Sequence, residues 1–262
     1  MKWTAAKLKA LKGEQKIAML TAYDALTASL VDDAGIPAIL VGDSLGMTVL
    51  GYETTLPVNM DEMLHHTSAV SRGVQNALVI ADMPSMSYQP SLAMALENAG
   101  RFLKEAHADA VKIEGGIIRA ELIDSLVKNG VPVLGHIGLT PQSVKEMGYK
   151  VQGKTSEQAR QLMDDAMAIE QAGAFAVVLE CVPPELGEMI SSALSIPTIG
   201  IGAGSGCDGQ VLVFTDMLGV SSKPVPKFVK KYAHLNGIIA EALSTYKNEV
   251  EEGTYPAEEH QY

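Results

Sequence analysis

Short apolar runs recur along this chain, and four of them end in a carboxylate: ILVGD (39–43), VIAD (79–82), VKIE (111–114) and VVLE (177–180). A run of this kind, without polar alternation, is the pattern of a strand covered on both faces. Candidate strands fall at residues 17–23, 38–44, 78–84, 110–115, 132–137, 176–182, 198–202 and 210–215. Segments with helical periodicity lie between them. Asn59 with Glu62, and Thr155 with Gln158, read as capping boxes that start helices. Gly35, Gly130 and Gly173 each close a helical pattern and suit a left-handed C′ position. Strand–helix alternation of this length predicts a parallel sheet. Eight candidate strands favour a closed (β/α)8 barrel over an open doubly wound sheet. Residues 1–16 read as a helix outside or under the barrel, 226–252 as the last helices, and 253–262 as a surface extension. No low-complexity linker or composition break divides the chain. The expectation is one α/β domain over residues 1–262, with an N-terminal helix and a short C-terminal tail.

The carboxylates change this picture from fold to chemistry. In a parallel barrel the C-terminal strand ends and the loops after them build the active site. A charge at the tip of a buried strand is costly unless something pairs with it. Four such tips suggest convergence on one site, where a cation would relieve their repulsion. Asp43 is followed by Ser44 and a long loop, LGMTVLGYETTLPVN (45–59), that reads as a lid. A helix-capping or turn role for Asp43 and Asp82 remains open. Lys112 and Glu114 alternate onto one strand face and must be paired or coordinated there. A structural ion pair between them, with or without Asp82, is the competing account. Gly115 and Gly116 would let the backbone approach a ligand.

Glu180 ends AVVLE, and so apolar a run disfavours the charged form of a carboxylate, which suits a general base or acid. Capping of the next helix is the alternative. Cys181 reads as a small apolar residue rather than a nucleophile. His136 binds substrate, orients a carboxylate from behind, or is a satisfied core histidine. His65 and His66 are adjacent on a helix, point to different sides, and read as packing or surface residues. The histidines and cysteines show no zinc spacing, whereas carboxylates and hydroxyls favour a hard cation such as Mg²⁺. The glycine-rich IGIGAGSGCDGQ (199–210) either holds phosphate or packs closely at the barrel top. It lacks the strand–turn–helix context of a dinucleotide fingerprint.

Composition narrows the partners. Hydrophobic residues make up 47%, enough for a large core, and the net charge is −11. That charge argues against nucleic acid, which wants clustered Lys and Arg. A small anionic substrate stays open, because a bound metal reverses the local field. Cys181 and Cys207 form no C-x-x-C motif, so a reducing compartment is expected. The first residues have no apolar core of signal-peptide length, and no run reaches the ~18 apolar residues of a membrane span. The expectation is a cytoplasmic protein without a membrane segment.

Taken together, the motifs resemble those of the ketopantoate hydroxymethyltransferase family. The matching stretches are TAYD (21–24), LVGDSLGMTVLGYETTLPV (40–58), VKIEGG (111–116), GHIGLTPQSV (135–144), GYKVQGKT (148–155), VLECVP (178–183), IGIGAGSGCDGQVLV (199–213), PKF (226–228) and YPAEEH (255–260). The resemblance runs nearly end to end. It implies a barrel of the phosphoenolpyruvate/pyruvate superfamily, Mg²⁺, and a cytoplasmic homo-oligomer, typically a homodecamer. It implies transfer of a hydroxymethyl group from 5,10-methylenetetrahydrofolate to 3-methyl-2-oxobutanoate through a Mg²⁺-stabilised enolate, giving 2-dehydropantoate and tetrahydrofolate. It also carries over residue roles: metal binding to Asp43, Asp82 and Glu114; oxo-acid contacts to Asp43, Ser44, Asp82 and Lys112; and the catalytic base to Glu180. The folate is expected over the barrel mouth, beneath the loop of residues 45–58. A Mg²⁺-dependent oxo-acid C–C lyase or mutase on the same barrel is the alternative enzyme. Such relatives often use a cysteine in a mobile loop, and neither cysteine here lies in the loop after the second strand. A non-catalytic metabolite-binding barrel with a structural ion-pair network is the third reading.

Overall fold

A computed structural model describes residues 2–221 and 225–262; Met1, to which the expected N-terminal helix extends, lies outside the described residues. The chain divides into two compact units, Met1–Val213 and Phe214–Tyr262. In the first unit the strands are β1 (Ile17–Thr21), β2 (Ala38–Val41), β3 (Leu78–Asp82), β4 (Ala110–Glu114), β5 (Val133–Gly138), β6 (Ala176–Glu180), β7 (Thr198–Ile201) and β8 (Gly209–Leu212). They pair in parallel in chain order, and β8 closes on β1. This is the expected (β/α)8 class. The strands sit where the apolar runs lie, most of them ending a residue or more short of the expected ends. In β2, β3, β4 and β5 every residue is buried, as runs without alternation require.

The helices of this unit are α1 (Ala5–Lys9), α2 (Ala25–Asp33), α3 (Leu45–Thr48), α4 (Met60–Gly73), α5 (Leu92–Lys104), α6 (Ala120–Lys128), α7 (Val144–Met147), α8 (Ser156–Gln171) and α9 (Pro184–Ala193). Both capping boxes form, Asn59 with Glu62 and Thr155 with Gln158. Gly35, Gly130 and Gly173 all take positive φ. The N-terminal helix is shorter than expected, because Gly13 turns the chain back with φ 76°. Leu8 of α1 joins the barrel's interior cluster with Ile17, Met19, Leu40, Leu78 and Leu134.

The β7–β8 crossover departs from the repeat. Only residues 202–208 join these two strands, and they contain no helix. Parallel strands normally need a longer connection. Glycine makes the short one possible: Gly204 has φ 84°, and a Cβ there would sit 2.6 Å from Pro184 Cβ. A Cβ on Gly206 would sit 2.7 Å from Glu188 Cβ. The glycines therefore let this loop lie against α9, the close packing that was one of the two readings of this segment.

The second unit holds α10 (Phe214–Leu218) and α11 (Leu235–Glu252). Helix α11 starts later than the expected 226, and Gly253 caps it in the left-handed region. The tail returns along α11, with the Tyr255 ring 5.7 Å from Tyr246 and 5.3 Å from His260. Among the described residues no helix is long and apolar enough to cross a membrane.

Candidate active site

The site follows from strand alternation. Inward-facing residues in the lower barrel are apolar: Leu78 and Ile80 on β3, Ala110 on β4, Leu134 on β5, Ala176 and Val178 on β6. Side chains two residues apart share a face. Continuing each series by one step reaches Asp82, Lys112, His136 and Glu180, and one more step on β4 reaches Glu114. The interior face is thus apolar at its lower end and ionisable at the C-terminal end. Asp43 joins from the turn just beyond β2, where its N–H donates to Asp82 Oδ2 at 3.2 Å.

The groups form a continuous row. Lys112 Nζ lies 2.8 Å from Asp82 Oδ1 and 3.5 Å from Glu114 Oε1. It also lies 3.1 Å from His136 Nδ1. His136 Nε2 is 3.3 Å from Glu180 Oε2. Asp43, Asp82, Lys112, Glu114 and His136 are all buried. Glu180 is less enclosed than the apolar run before it: its side chain is 17% exposed, against 3% for Glu114. The apolar run buries residues 176–179, and its last residue clears the rim.

Burial raises the Asp43 carboxyl well above the usual range, and the neighbouring Asp82 and Glu114 charges add to it. Asp82 is raised too, by burial first, although Lys112 opposes the shift. Burial would also raise Glu114, but Lys112 and His136 outweigh it and hold this carboxyl below its usual range. Lys112 is kept charged: burial disfavours the ammonium, and Asp82, Glu114 and Asp43 together overcome that. For His136, burial and Lys112 disfavour a second ring proton, while Glu114 and Glu180 favour it and raise the ring's affinity for it. An ammonium has only donors to offer. Lys112 can therefore donate into Nδ1 only when the ring proton sits on Nε2, whereas a ring protonated on both nitrogens turns Nδ1–H toward Glu114 Oε1, 3.6 Å away.

All the expected site residues therefore meet at one barrel mouth. The capping alternatives fail: Ser44, not Asp43, sits at the α3 N-cap, and its side chain makes no capping bond. Pro183 takes that place for α9, while the Glu180 carboxylate turns to His136. The Lys112 ion pairs do form, but inside the site. Ser44 Oγ is 2.8 Å from Tyr23 OH, which fixes its position. His66 Nδ1 lies 2.7 Å from the Tyr23 carbonyl, a packing role as expected. Burial and Glu180 push the Cys181 thiol up to about 11, so it is a poor nucleophile.

Sequence reasoning missed Gln142. Its Nε2 donates to Asp43 Oδ2 at 3.0 Å and to the Met83 carbonyl at 2.8 Å. Its Oε1 accepts from Tyr88 OH at 2.8 Å and from Gln89 Nε2 at 3.1 Å. Its own N–H donates to Glu114 Oε2 at 3.0 Å. One residue thus braces two of the site carboxylates, Asp43 through its side-chain amide and Glu114 through its backbone N–H. The available signal was its place just past the His136 strand, within GHIGLTPQSV. Gly115 and Gly116 line a cavity beside the row, as a backbone approach to a ligand would require, and they have a packing reason too: a Cβ on Gly115 would lie 2.8 Å from Arg119 Cγ, and one on Gly116 would overlap the Asp165 carboxylate. Both are small to admit those side chains.

A hard cation suits this donor set. Asp82 Oδ1 is buried without a well-aligned hydrogen bond, even though Lys112 Nζ is 2.8 Å away. Asp43 and Asp82 are crowded carboxylates that a divalent ion would relieve. Among the described residues no group of three or more His, Cys, Asp or Glu side chains is placed to hold a metal ion, so the expected set of Asp43, Asp82 and Glu114 is not assembled as three ligands. Mg²⁺ is ordinarily held through one or two carboxylates plus substrate and water, so Asp43 and Asp82 meet its requirement. Both Glu114 oxygens already face protein donors.

The family model described as ketopantoate hydroxymethyltransferase matches residues 2–258. A protein named 3-methyl-2-oxobutanoate hydroxymethyltransferase from Syntrophus aciditrophicus (strain SB) is 60% identical, over 96% of this chain and 92% of its own length. One of the same name from Enterococcus faecalis (strain ATCC 700802 / V583) is 57% identical, over 99% of this chain and 95% of its own. Among solved structures, phosphoenolpyruvate phosphomutase from Streptomyces platensis subsp. rosaceus matches with a TM-score of 0.63 at 17% identity, covering 99% of this chain and 92% of that one. A 2,3-dimethylmalate lyase, described as a member of the PEP mutase/isocitrate lyase superfamily, matches with a TM-score of 0.61 at 16% identity, covering 100% and 93%. Likenesses this distant speak to the barrel alone.

Proposed function

The chain belongs to the ketopantoate hydroxymethyltransferase family, and from that premise we propose that it transfers a hydroxymethyl group from 5,10-methylenetetrahydrofolate to 3-methyl-2-oxobutanoate. The product is 2-dehydropantoate, on the route to pantothenate. The observation that carries this reading is the unbroken row of inward-facing groups, from Asp43 to Glu180, at the ends of β2 through β6.

The reaction needs a carbon acid made acidic, a base to take its proton, and a fixed place for the acid's carboxylate. Lys112 supplies a charge in a buried setting and offsets the substrate's carboxylate. Ser44, held by Tyr23, offers a hydroxyl to the same end of the substrate. Bound Mg²⁺, held by Asp43 and Asp82, would supply the positive charge that draws electrons from the 2-oxo group and loosens the C3 proton. Glu114 serves this pair by anchoring Lys112 and the Gln142 backbone. Glu180, at the rim, takes the C3 proton. His136 Nε2 lies 3.3 Å from Glu180 Oε2 without a well-aligned hydrogen bond, near enough to influence where that carboxylate sits. The C3 electron pair then attacks the donor's one-carbon unit, and one water is consumed as tetrahydrofolate leaves.

This reading extends to a cytoplasmic homodecamer, for which the family resemblance is the support. The lyase or mutase alternative has the fold likeness on its side, but not the sequence relationship.

The test is a product assay with both substrates and Mg²⁺, following 2-dehydropantoate by mass spectrometry. EDTA is expected to stop turnover and added Mg²⁺ to restore it. Asp82→Ala is expected to lose turnover and metal dependence together; near-normal turnover of that variant without metal refutes the assignment.

A further inference from the structure

A cavity of about 610 Å³ opens beside the acidic row, between the loops that follow β3, β4 and β5 and the flank of α8. Its size falls within the range of small-molecule sites. It shares Glu114 and Gln142 with the row, so Gln142 stands between this cavity and Asp43. The lining is mixed. Ile118, Met147 and Leu162 offer apolar surface, while Gln158, Gln161 and Asp165 offer amide and carboxylate groups.

Arg119 gives the cavity a direction. Its guanidinium lies over the Tyr88 ring, 5.6 Å from the centroid. Its Nε is buried and, among the described residues, has no hydrogen-bond acceptor. A buried guanidinium N–H without a partner is costly. Arg119 also lines the cavity, so its guanidinium is placed to donate to an acceptor oxygen on a bound molecule through an N–H other than the shielded Nε. The occupant that fits has a flat apolar face, an edge of N–H donors for the amides and carboxylates, and an acceptor oxygen for Arg119. A pterin has all three. The oxo acid, with its small aliphatic end, has no N–H donors.

We propose that this cavity binds the ring system of the one-carbon donor, with Gln142 separating it from the oxo acid and Arg119 holding a ring oxygen. This places the donor on the β3–β5 side of the mouth rather than beneath the loop of residues 45–58. It rests on the hydroxymethyl-transfer reading and deepens it. The donor's one-carbon unit then meets C3 past Gln142, at the one wall both spaces share.

Two variants and two measurements test the placement. Gln161→Trp puts bulk into the cavity from an exposed position on α8. Arg119→Met removes the guanidinium and keeps much of its length. Anaerobic calorimetry with tetrahydrofolate reads binding directly. Exchange of the C3 proton of 3-methyl-2-oxobutanoate in D2O, without folate, reads the acidic row alone. Both variants are expected to weaken tetrahydrofolate binding by about tenfold or more, with C3 exchange and the oxo-acid KM kept near the unmodified values. Unweakened tetrahydrofolate binding in either folded variant, with C3 exchange intact, overturns the placement and leaves the hydroxymethyl-transfer reading standing. Failure of the unmodified protein to exchange the C3 proton or to bind tetrahydrofolate overturns that reading itself. Should Gln161→Trp fail to fold, Arg119→Met gives the same decision.

Discussion

Replacing Lys112 by Met is the perturbation that most directly weighs the charge balance of the site. The ammonium is only 4% exposed and sits 2.8 Å from Asp82 Oδ1 and 3.5 Å from Glu114 Oε1. With an effective dielectric of about 20, those contacts correspond to gross attractions of about 6 and about 5 kcal/mol. Most of that offsets the desolvation of the charges. The net loss when one partner of a buried pair is removed is typically about 3–5 kcal/mol. Methionine keeps the unbranched shape, so packing loss contributes little. For a barrel of this length the loss corresponds to a fall of roughly 10 °C in Tm. The assay is thermal unfolding at one protein concentration, at pH 8, in EDTA and in Mg²⁺. Without Lys112, Asp43, Asp82 and Glu114 face one another with no fixed cation: the folded pKa values of Asp43 and Asp82 rise further, and Glu114 loses the strongest influence holding its own down. A carboxyl raised in the folded state favours folding fully below its unfolded pKa and loses that contribution as pH rises through the folded value. The deficit should therefore be largest at pH 8 and shrink as the medium is acidified. Mg²⁺ should stabilise the variant more than the unmodified protein. A variant that melts within about 2 °C of the parent in EDTA at pH 8 refutes the charge argument. A deficit untouched by acid and by Mg²⁺ marks lost packing instead.

Further expectations concern the frame around the site. Asp32, at the end of α2, accepts the N–H groups of Gln75 (2.9 Å), Asn76 (3.0 Å) and Ala77 (2.6 Å). Burial raises this carboxyl, but those bonds outweigh it and hold it below the usual range, so its contribution is present at neutral pH and lost as pH falls through the folded pKa. Asp32→Ala should cost about 3 kcal/mol at pH 7 by denaturant titration, with the difference from the parent closing below about pH 4; a pH-independent difference contradicts it. Gly138 has φ 92°, and a Cβ there would lie 2.2 Å from the Glu180 carbonyl. Gly138→Ala should displace Glu180 and lower kcat by about 100-fold while the oxo-acid KM changes little; an unaltered kcat shows that Glu180 tolerates the shift. Gln142→Ala should weaken Mg²⁺ binding, measured by calorimetry with the metal alone, because Asp43 loses its brace; unchanged affinity removes Gln142 from the positioning role.

The barrel was legible because its strands are buried on both faces. Uninterrupted runs such as 78–82 and 110–114 have few other structural outlets, and the capping boxes at Asn59 and Thr155 bracket the helices between them. The row from Asp82 to Glu180 was legible for the same reason, since strand alternation carries an apolar series straight to the ionisable residue at its end. What stayed hidden depends on partners distant in sequence. Gly116 is small because Asp165 fills its space, and neither residue signals the other. Gln142 sits in a loop, where an amide has no periodic signature, and its importance lies in the groups that converge on it. The missing β7–β8 helix was disguised by glycines that suit a ligand loop equally well. Glu180 clears the rim because the strand ends there, and a run of letters does not show where a barrel wall stops.

Exchange of the C3 proton of 3-methyl-2-oxobutanoate with D2O, followed by proton NMR without any folate, tests the mouth-site account most directly. The unmodified protein should exchange that proton with Mg²⁺ and stop in EDTA, and Glu180→Gln should bind the oxo acid yet exchange almost nothing. Undiminished exchange by Glu180→Gln, or exchange indifferent to the metal, contradicts a carboxylate at the end of β6 acting beside a cation held by Asp43 and Asp82.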